Sequence, residues 1–308
     1  MKRILHFILY IVSCGSLLLG VTACEQATVS TPTPTTLTLA GATAMQPVLH
    51  DLTVEFSRQH PSVLFNWLGG SSATGEERIQ TEEIDLAAST FLDTKPMSAT
   101  TMAKGGPSIV RIPIGLDGLA IIVHPSNPIE NVTLRQLHDL FNGHLLDWSM
   151  LGSSSGGVIL ISREDGSGSR RLFEERVMGD DQVSLTAVVM PTSADVVDYV
   201  AQNAGAIGYV SRAYVIDALR AQTDKTTQGA VKAQTAQVGA TSRPAVRVVR
   251  VENQFPTLEN LKNQSYFFTQ PLFLLSRGQP RGWARQFIDF VLSPAGQTIV
   301  ERYHARVR

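Results

Sequence analysis

Cysteine is scarce in this chain. Two are present in 308 residues, Cys14 and Cys24, and both fall within the first 24 positions. No disulfide can staple the body, so its stability must come from a buried core. An excess of one charge is also missing: 26 basic against 27 acidic residues leave a net charge of −1. That balance gives no basic patch or stripe for nucleic acid. The seven histidines include no His-Glu-x-x-His run or other metal-ligand spacing, so neither a metal nor a cofactor is expected. There is no Gly-x-x-x-x-Gly-Lys-Ser/Thr loop, and Gly166 and Gly168 lack the third glycine of a dinucleotide turn. Gly152-Ser153-Ser154-Ser155-Gly156 has the letters of a nucleophile elbow without a strand in front of it. The chain is not expected to be an enzyme.

After the leader no long apolar run remains. The leader itself starts with Lys2 and Arg3, continues apolar from Ile4 to Gly20, and closes on Val21-Thr22-Ala23-Cys24. This is the layout of a secretory signal, and its last four residues resemble the bacterial lipobox. Residues 1–24 are read as a lipoprotein signal peptide with Cys24 as the lipidated residue. An uncleaved transmembrane anchor is the alternative, though the run falls short of the ~20 apolar residues that a spanning helix wants. Residues 25–36, rich in Thr, Pro and Ser, read as a flexible tether.

The mature chain alternates short β-branched runs, small-residue turns and amphipathic segments. Leu37 to Ala40 leads through Gly41-Ala42-Thr43 into Met45, Val48, Leu49, Leu52 and Phe56 at helical spacing. Val63 to Leu68 leads into Gly69-Gly70-Ser71-Ser72-Ala73-Thr74-Gly75, then a polar helix from Glu76 to about Glu83 and a strand at Asp85 to Ser89. Strands are expected at 109–114 and 119–123, broken by Gly115-Leu116-Asp117-Gly118. Thr133 and Gln136 form a capping box for the helix that follows them. Val158 to Ser162 is a further strand, followed by a helix at 195–203 capped by Ser193, a strand at 207–210, an irregular excursion over 218–244, and a strand at 271–275. Two closing helices complete the chain. The alternation implies an α/β fold with a parallel sheet covered by helices. Two lobes are expected, residues 37–113 with 270–308 and an inserted lobe 114–269, with a ligand in the interlobe cleft.

In such sheets ligands bind beyond the carboxyl ends of the strands. Thr43, Ser71, Ser72 and Thr90 fall at such ends. So does Ser162-Arg163-Glu164-Asp165-Gly166-Ser167-Gly168-Ser169-Arg170, where strand, glycine turn and helix start offer free N–H groups, hydroxyls and a positive dipole end. Arg163 adds a planar fork of donors suited to a tetrahedral oxyanion. Each of these residues alone is an ordinary cap or turn residue. Together they outline a cleft for a small oxyanion.

The stretches Gly41-Ala42-Thr43, Gly70-Ser71-Ser72-Ala73-Thr74-Gly75, Gly115-Leu116-Asp117-Gly118 through Pro125-Ser126-Asn127-Pro128, Phe141-Asn142-Gly143 and Trp148 to Gly152, Arg163-Glu164-Asp165-Gly166-Ser167-Gly168-Ser169, and Gly205-Ala206-Ile207-Gly208-Tyr209-Val210 resemble, in this order, the phosphate-binding proteins of ABC phosphate transporters. These are periplasmic proteins and lipoproteins with a type II periplasmic-binding fold. The resemblance implies donors to phosphate from Thr43, the backbone of Ala44, and Ser71 in one lobe, and from Arg163, Ser167, Gly168 and Ser169 in the other. It implies an ABC permease as partner, a monomer exported and held at the cell envelope only by its N-terminal lipid, and no covalent chemistry. The chain departs from the family at Thr90, where members usually carry a charged residue, in the best-known ones an aspartate. Asp93 could replace the acceptor. Sulfate, molybdate or tungstate therefore stay open as cargo, as do a phosphate sensor or scavenger without a permease and, as a different class, a secreted phosphoester hydrolase.

Overall fold

The computed structural model describes residues 34–92, 108–153, 156–227 and 245–307. The signal peptide, most of the tether, Cys24 and Asp93 lie outside them. The strands are β1 (Thr35–Gly41), β2 (Val63–Trp67), β3 (Leu86–Ser89), β4 (Ile109–Val123), β5 (Asn131–Val132), β6 (Ile159–Arg163), β7 (Val188–Met190), β8 (Ala206–Ser211), β9 (Arg247–Val251), β10 (Thr269–Arg277) and β11 (Ala305–Arg306). The helices are α1 (Gln46–Gln59), α2 (Ser72–Gln80), α3 (Leu134–Phe141), α4 (Gly168–Phe173), α5 (Ser193–Gln202), α6 (Ile216–Thr227), α7 (Leu258–Lys262), α8 (Gly282–Leu292) and α9 (Pro294–Tyr303).

The fold is α/β and two-lobed, and one strand belongs to both lobes. The main path of the sheet runs β2-β1-β3-β10-β4-β8-β6-β7. The first part of β4 pairs with β10, from Ile109 opposite Arg277 to Gly118 opposite Thr269. Its last residues pair with β8 and β9. The cores divide along the same line. Leu39, Leu52, Phe56, Leu86, Leu274 and Phe287 share one cluster, while Leu119, Phe141, Phe173, Tyr209 and Phe268 share another.

Among the described residues, parallel pairing joins β1 with β2 and β3, β6 with β7 and β8, and the short β5 with β9. The strands that pass between the lobes are antiparallel, because the chain leaves and re-enters the first lobe in opposite directions. The expected break at 115–118 does not exist. Gly115 and Gly118 lie within continuous β4, where they make room for close neighbours. A methyl group on Gly115 would lie 3.1 Å from the Ala305 carbonyl oxygen, and one on Gly118 would lie 2.9 Å from Pro256 and Leu261.

Other boundaries shift for local reasons. α2 starts at Ser72, because Ser71 and Thr74 form a capping box that recruits the whole turn into the helix. Gly75 sits inside α2, where a side chain would meet the Gly41 backbone at 2.7 Å. α5 is capped by Thr192, whose hydroxyl accepts from the Asp195 N–H, while Ser193 occupies its first turn. The supposed excursion begins as a helix, α6, and residues 228–244 lie outside the described residues.

Candidate functional site

Three chain segments meet where the lobes face each other. β1 ends in Gly41, and a 3-10 turn over Thr43–Met45 carries the chain into α1. β2 hands over to the Gly69-Gly70 turn and the start of α2. β6 ends at Arg163 and turns through Gly166 into α4. These strand ends, with Thr90 just past β3, enclose a small cavity. Its lining contains Thr43, Ala44, Ser71, Ser72 and Thr90 from one lobe, and Arg163, Ser167, Gly168 and Ser169 from the other. All nine ligand-binding candidates from the sequence thus face one space, together with Ala42. Among the described residues, no carboxylate lines it.

The donors are arranged by their own helices. Ser71 caps α2 by accepting from the Thr74 N–H at 3.2 Å, and Ser167 caps α4 by accepting from the Arg170 N–H at 3.4 Å. Each cap holds a helix N-terminus, with its unsatisfied N–H groups, at the cavity. Ser72 accepts from the Thr90 N–H at 3.1 Å, and the two hydroxyls lie 3.4 Å apart. The Ser169 hydroxyl is buried and has no protein partner, so it remains available to the cavity it lines.

Arg163 carries the charge. It is 2% exposed, and Tyr209, stacked on Phe173 with ring centroids 4.4 Å apart, backs the strand that bears it. The Tyr209 hydroxyl lies 2.8 Å from that of Ser162 and accepts from the Arg163 N–H at 3.4 Å. The guanidinium is fixed on several sides. Nε donates to Glu164 Oε2 at 2.9 Å, Nη1 to Ser193 Oγ at 2.9 Å, and Nη2 to Glu164 Oε1 at 2.9 Å. Nη2 also reaches Thr43 Oγ1 across the lobes at 3.2 Å. Burial raises the Glu164 carboxyl above its ordinary value, against the lowering pull of Arg163. A buried cation with one neighbouring carboxylate and several neutral acceptors is held in place while part of its field still faces the cavity.

Three residues of this arrangement were missed as site residues. Ser193 passes for a helix cap, yet its hydroxyl accepts a hydrogen bond from Arg163. Glu164, read only as part of the turn, pairs with the same guanidinium. Tyr214 donates its hydroxyl to the Thr43 carbonyl at 2.7 Å and so ties the second lobe to the first. The adjacent Arg163-Glu164 pair was a visible signal; nothing local marked Tyr214. The Gly-x-Ser-x-Gly letters follow a 3-10 turn at Trp148–Leu151, and Ser154 and Ser155 lie outside the described residues.

Comparison with known proteins agrees with this architecture. A family model described as a PBP superfamily domain matches residues 26–295. The phosphate-binding protein PstS of Bacillus subtilis is 22% identical over 257 residues, covering 83% of this chain and 75% of that one. A chain from Clostridium perfringens, described as a phosphate ABC transporter substrate-binding protein with bound phosphate, is 25% identical. It superposes with a TM-score of 0.72, covering 89% of this chain and 100% of the other. An ABC-type phosphate transport receptor from Vibrio cholerae shares the fold at 21% identity and a TM-score of 0.60, covering 87% and 99%.

Proposed function

Because the chain belongs to the PBP superfamily, we propose that it captures inorganic phosphate between its lobes and delivers it to an ABC-type importer. One observation carries this reading. A fully buried arginine, two helix N-termini and an unpartnered buried hydroxyl converge on one small cavity supplied by both lobes. Hydrogen bonds to a charged partner contribute ~1.5–3 kcal/mol each, and several of them can offset the dehydration of a small anion. Thr43, Ala44, Ser71, Ser72, Thr90, Arg163, Ser167, Gly168 and Ser169 are the proposed contacts. Both lobes supply donors, so the complete set exists only when the lobes are closed. The anion therefore selects the closed state. We infer no catalysis, and no metal or cofactor is needed for capture.

The remaining parts of the reading are lobe limits at 37–113 with 270–308 and at 114–269, a cleaved leader, a lipid on Cys24 at the cell envelope, a permease as partner, and a monomeric state. Thr90 favours one second reading. With no carboxylate among the described lining residues, none of them accepts the proton of hydrogen phosphate as strongly as an aspartate would, so a proton-free dianion such as sulfate is also accommodated. Isothermal titration of anion-stripped protein with phosphate, then sulfate, molybdate and tungstate, tests both. Tight one-to-one binding of phosphate supports the first reading. Heat only with another oxyanion replaces it with the second, and silence with all four removes both.

A further inference from the structure

A second, larger cavity is lined in part by Tyr214, whose hydroxyl bonds the Thr43 carbonyl. It measures about 470 Å³, within the ~300–1,000 Å³ typical of small-molecule sites. It shares no lining residue with the anion cavity. Its walls include Asp51, Phe65 and Trp67 from the first lobe, Asp198 and Tyr214 from the second, and Tyr303 from the end of α9. Both tyrosine hydroxyls are engaged: Tyr303 donates to Asp51 Oδ2 in the same wall at 2.7 Å, and Tyr214 donates to the Thr43 carbonyl. Their remaining contribution to the cavity is ring surface. Carboxylates stand on both sides, Asp51 from α1 and Asp198 from α5. Against them the described lining residues include one basic residue, His50. Arg302 approaches Asp51 at 3.7 Å from a largely exposed position.

Aromatic faces combined with carboxylates are the chemistry that recognises an organic cation, through ring quadrupoles and charge together. We propose that this cavity is a binding site for an organic ammonium ion with an apolar body. Inorganic cations are poorly served, since most of the wall is ring and aliphatic surface. An occupant that touches Asp51 and Asp198 bridges the lobes. It therefore favours the same closed arrangement as the anion. Tyr214 provides the physical link, because it lines this cavity and holds Thr43, which lines the other. By reciprocity each ligand tightens the other. This last step rests on the phosphate reading, whereas the ammonium site stands without it.

The test is calorimetry on the full chain, solubilised in detergent and stripped of anion, with 2-phenylethylamine as probe and 2-phenylethanol as its uncharged counterpart. The expected result is saturable one-to-one binding of the amine. Binding should be about tenfold weaker for the alcohol, and about tenfold weaker for the amine with Asp198→Asn or Trp67→Ala. Phosphate affinity should rise severalfold when the amine is present. Circular dichroism and amine-free phosphate titration show whether each variant remains folded. Absence of saturable amine binding overturns the site, as does equal binding of the alcohol or indifference to Asp198→Asn. Amine binding that leaves phosphate affinity unchanged overturns the coupling alone. Amine binding without any phosphate binding overturns the phosphate reading and leaves this site in place.

Discussion

Gly168 and Thr90 come from opposite lobes, and they meet so closely that a methyl group on Gly168 would collide with the Thr90 hydroxyl. The same methyl would lie 2.8 Å from Ser72 Oγ. Such an overlap can be relieved by parting the lobes, which costs the anion its second set of donors. Gly168→Ala is therefore expected to lower phosphate affinity about 100-fold while changing the melting temperature of the empty protein by little. Titration together with small-angle scattering checks this: the variant should show no compaction on adding phosphate. Unimpaired affinity would mean that the lobes close without this contact.

Arg163 separates charge from geometry. Arg163→Lys keeps a positive charge and loses the planar fork, so affinity should fall at least tenfold; Arg163→Ala should cost about 100-fold or more. Alanine also leaves Glu164 without its partner. That carboxylate is partly exposed, so the stability loss should stay well below the ~3–5 kcal/mol of a fully buried broken pair. Adding Glu164→Gln should restore the melting temperature of the alanine variant without restoring binding. Recovery of both would make Arg163 structural.

Thr90→Asp is the selectivity experiment. An aspartate beside Ser72 accepts the proton of hydrogen phosphate and repels sulfate, which has none to give. The ratio of phosphate to sulfate affinity should rise by about tenfold or more, mainly through loss of sulfate. Competition calorimetry at fixed pH measures it. A ratio that stays constant would place selectivity elsewhere in the cavity.

Tyr209 makes an alkaline prediction. Burial pushes its hydroxyl up to about 12 from a usual value near 10. The folded state holds this proton more tightly than the unfolded state does. Its contribution is therefore complete below about pH 10 and is lost as pH rises through about 12, a decline of roughly 2–3 kcal/mol. Tyr209→Phe should lose about 1 kcal/mol at neutral pH, from the bonds to Ser162 and Arg163, and should then show a flatter stability curve above pH 10. Denaturant unfolding at stepped pH follows both effects.

Local chemistry explains what could be read in advance. Ser167 and Thr133 cap helices by contacts within three residues, so those helix starts were visible in short windows. Thr43, Ser71, Thr90 and Arg163 stood out for the same reason: each follows a strand with small residues around it. The Ser71–Thr74 box, by contrast, was passed over, and α2 was expected to begin at Glu76. β9 escaped despite Val248, Val249 and Val251, because its pairing with β4 and β5 spans most of the second lobe. The run at 115–118 looked like a break because glycine usually ends a strand. Here it admits Ala305 and Leu261, which are remote in sequence. Tyr214 could not be found without its partner, since a tyrosine after a strand has no local mark of reaching across to Thr43. Contacts at long separation set these roles.

The position of β10 bears on how the chain is made. It lies between β3 and β4, and the cluster beside it draws Phe287, Ile288, Val291 and Val300 from the last part of the chain. The sheet of the first lobe therefore stays open at its middle until residue 277 has been synthesised, and its core stays unfilled for longer. The inserted lobe has its own continuous run of sequence and can fold earlier. The N-terminal part, first to emerge, is last to become compact. That leading segment, up to the start of β4, therefore stays threadable until the end of synthesis, as a segment must be if it is to pass first through a narrow channel.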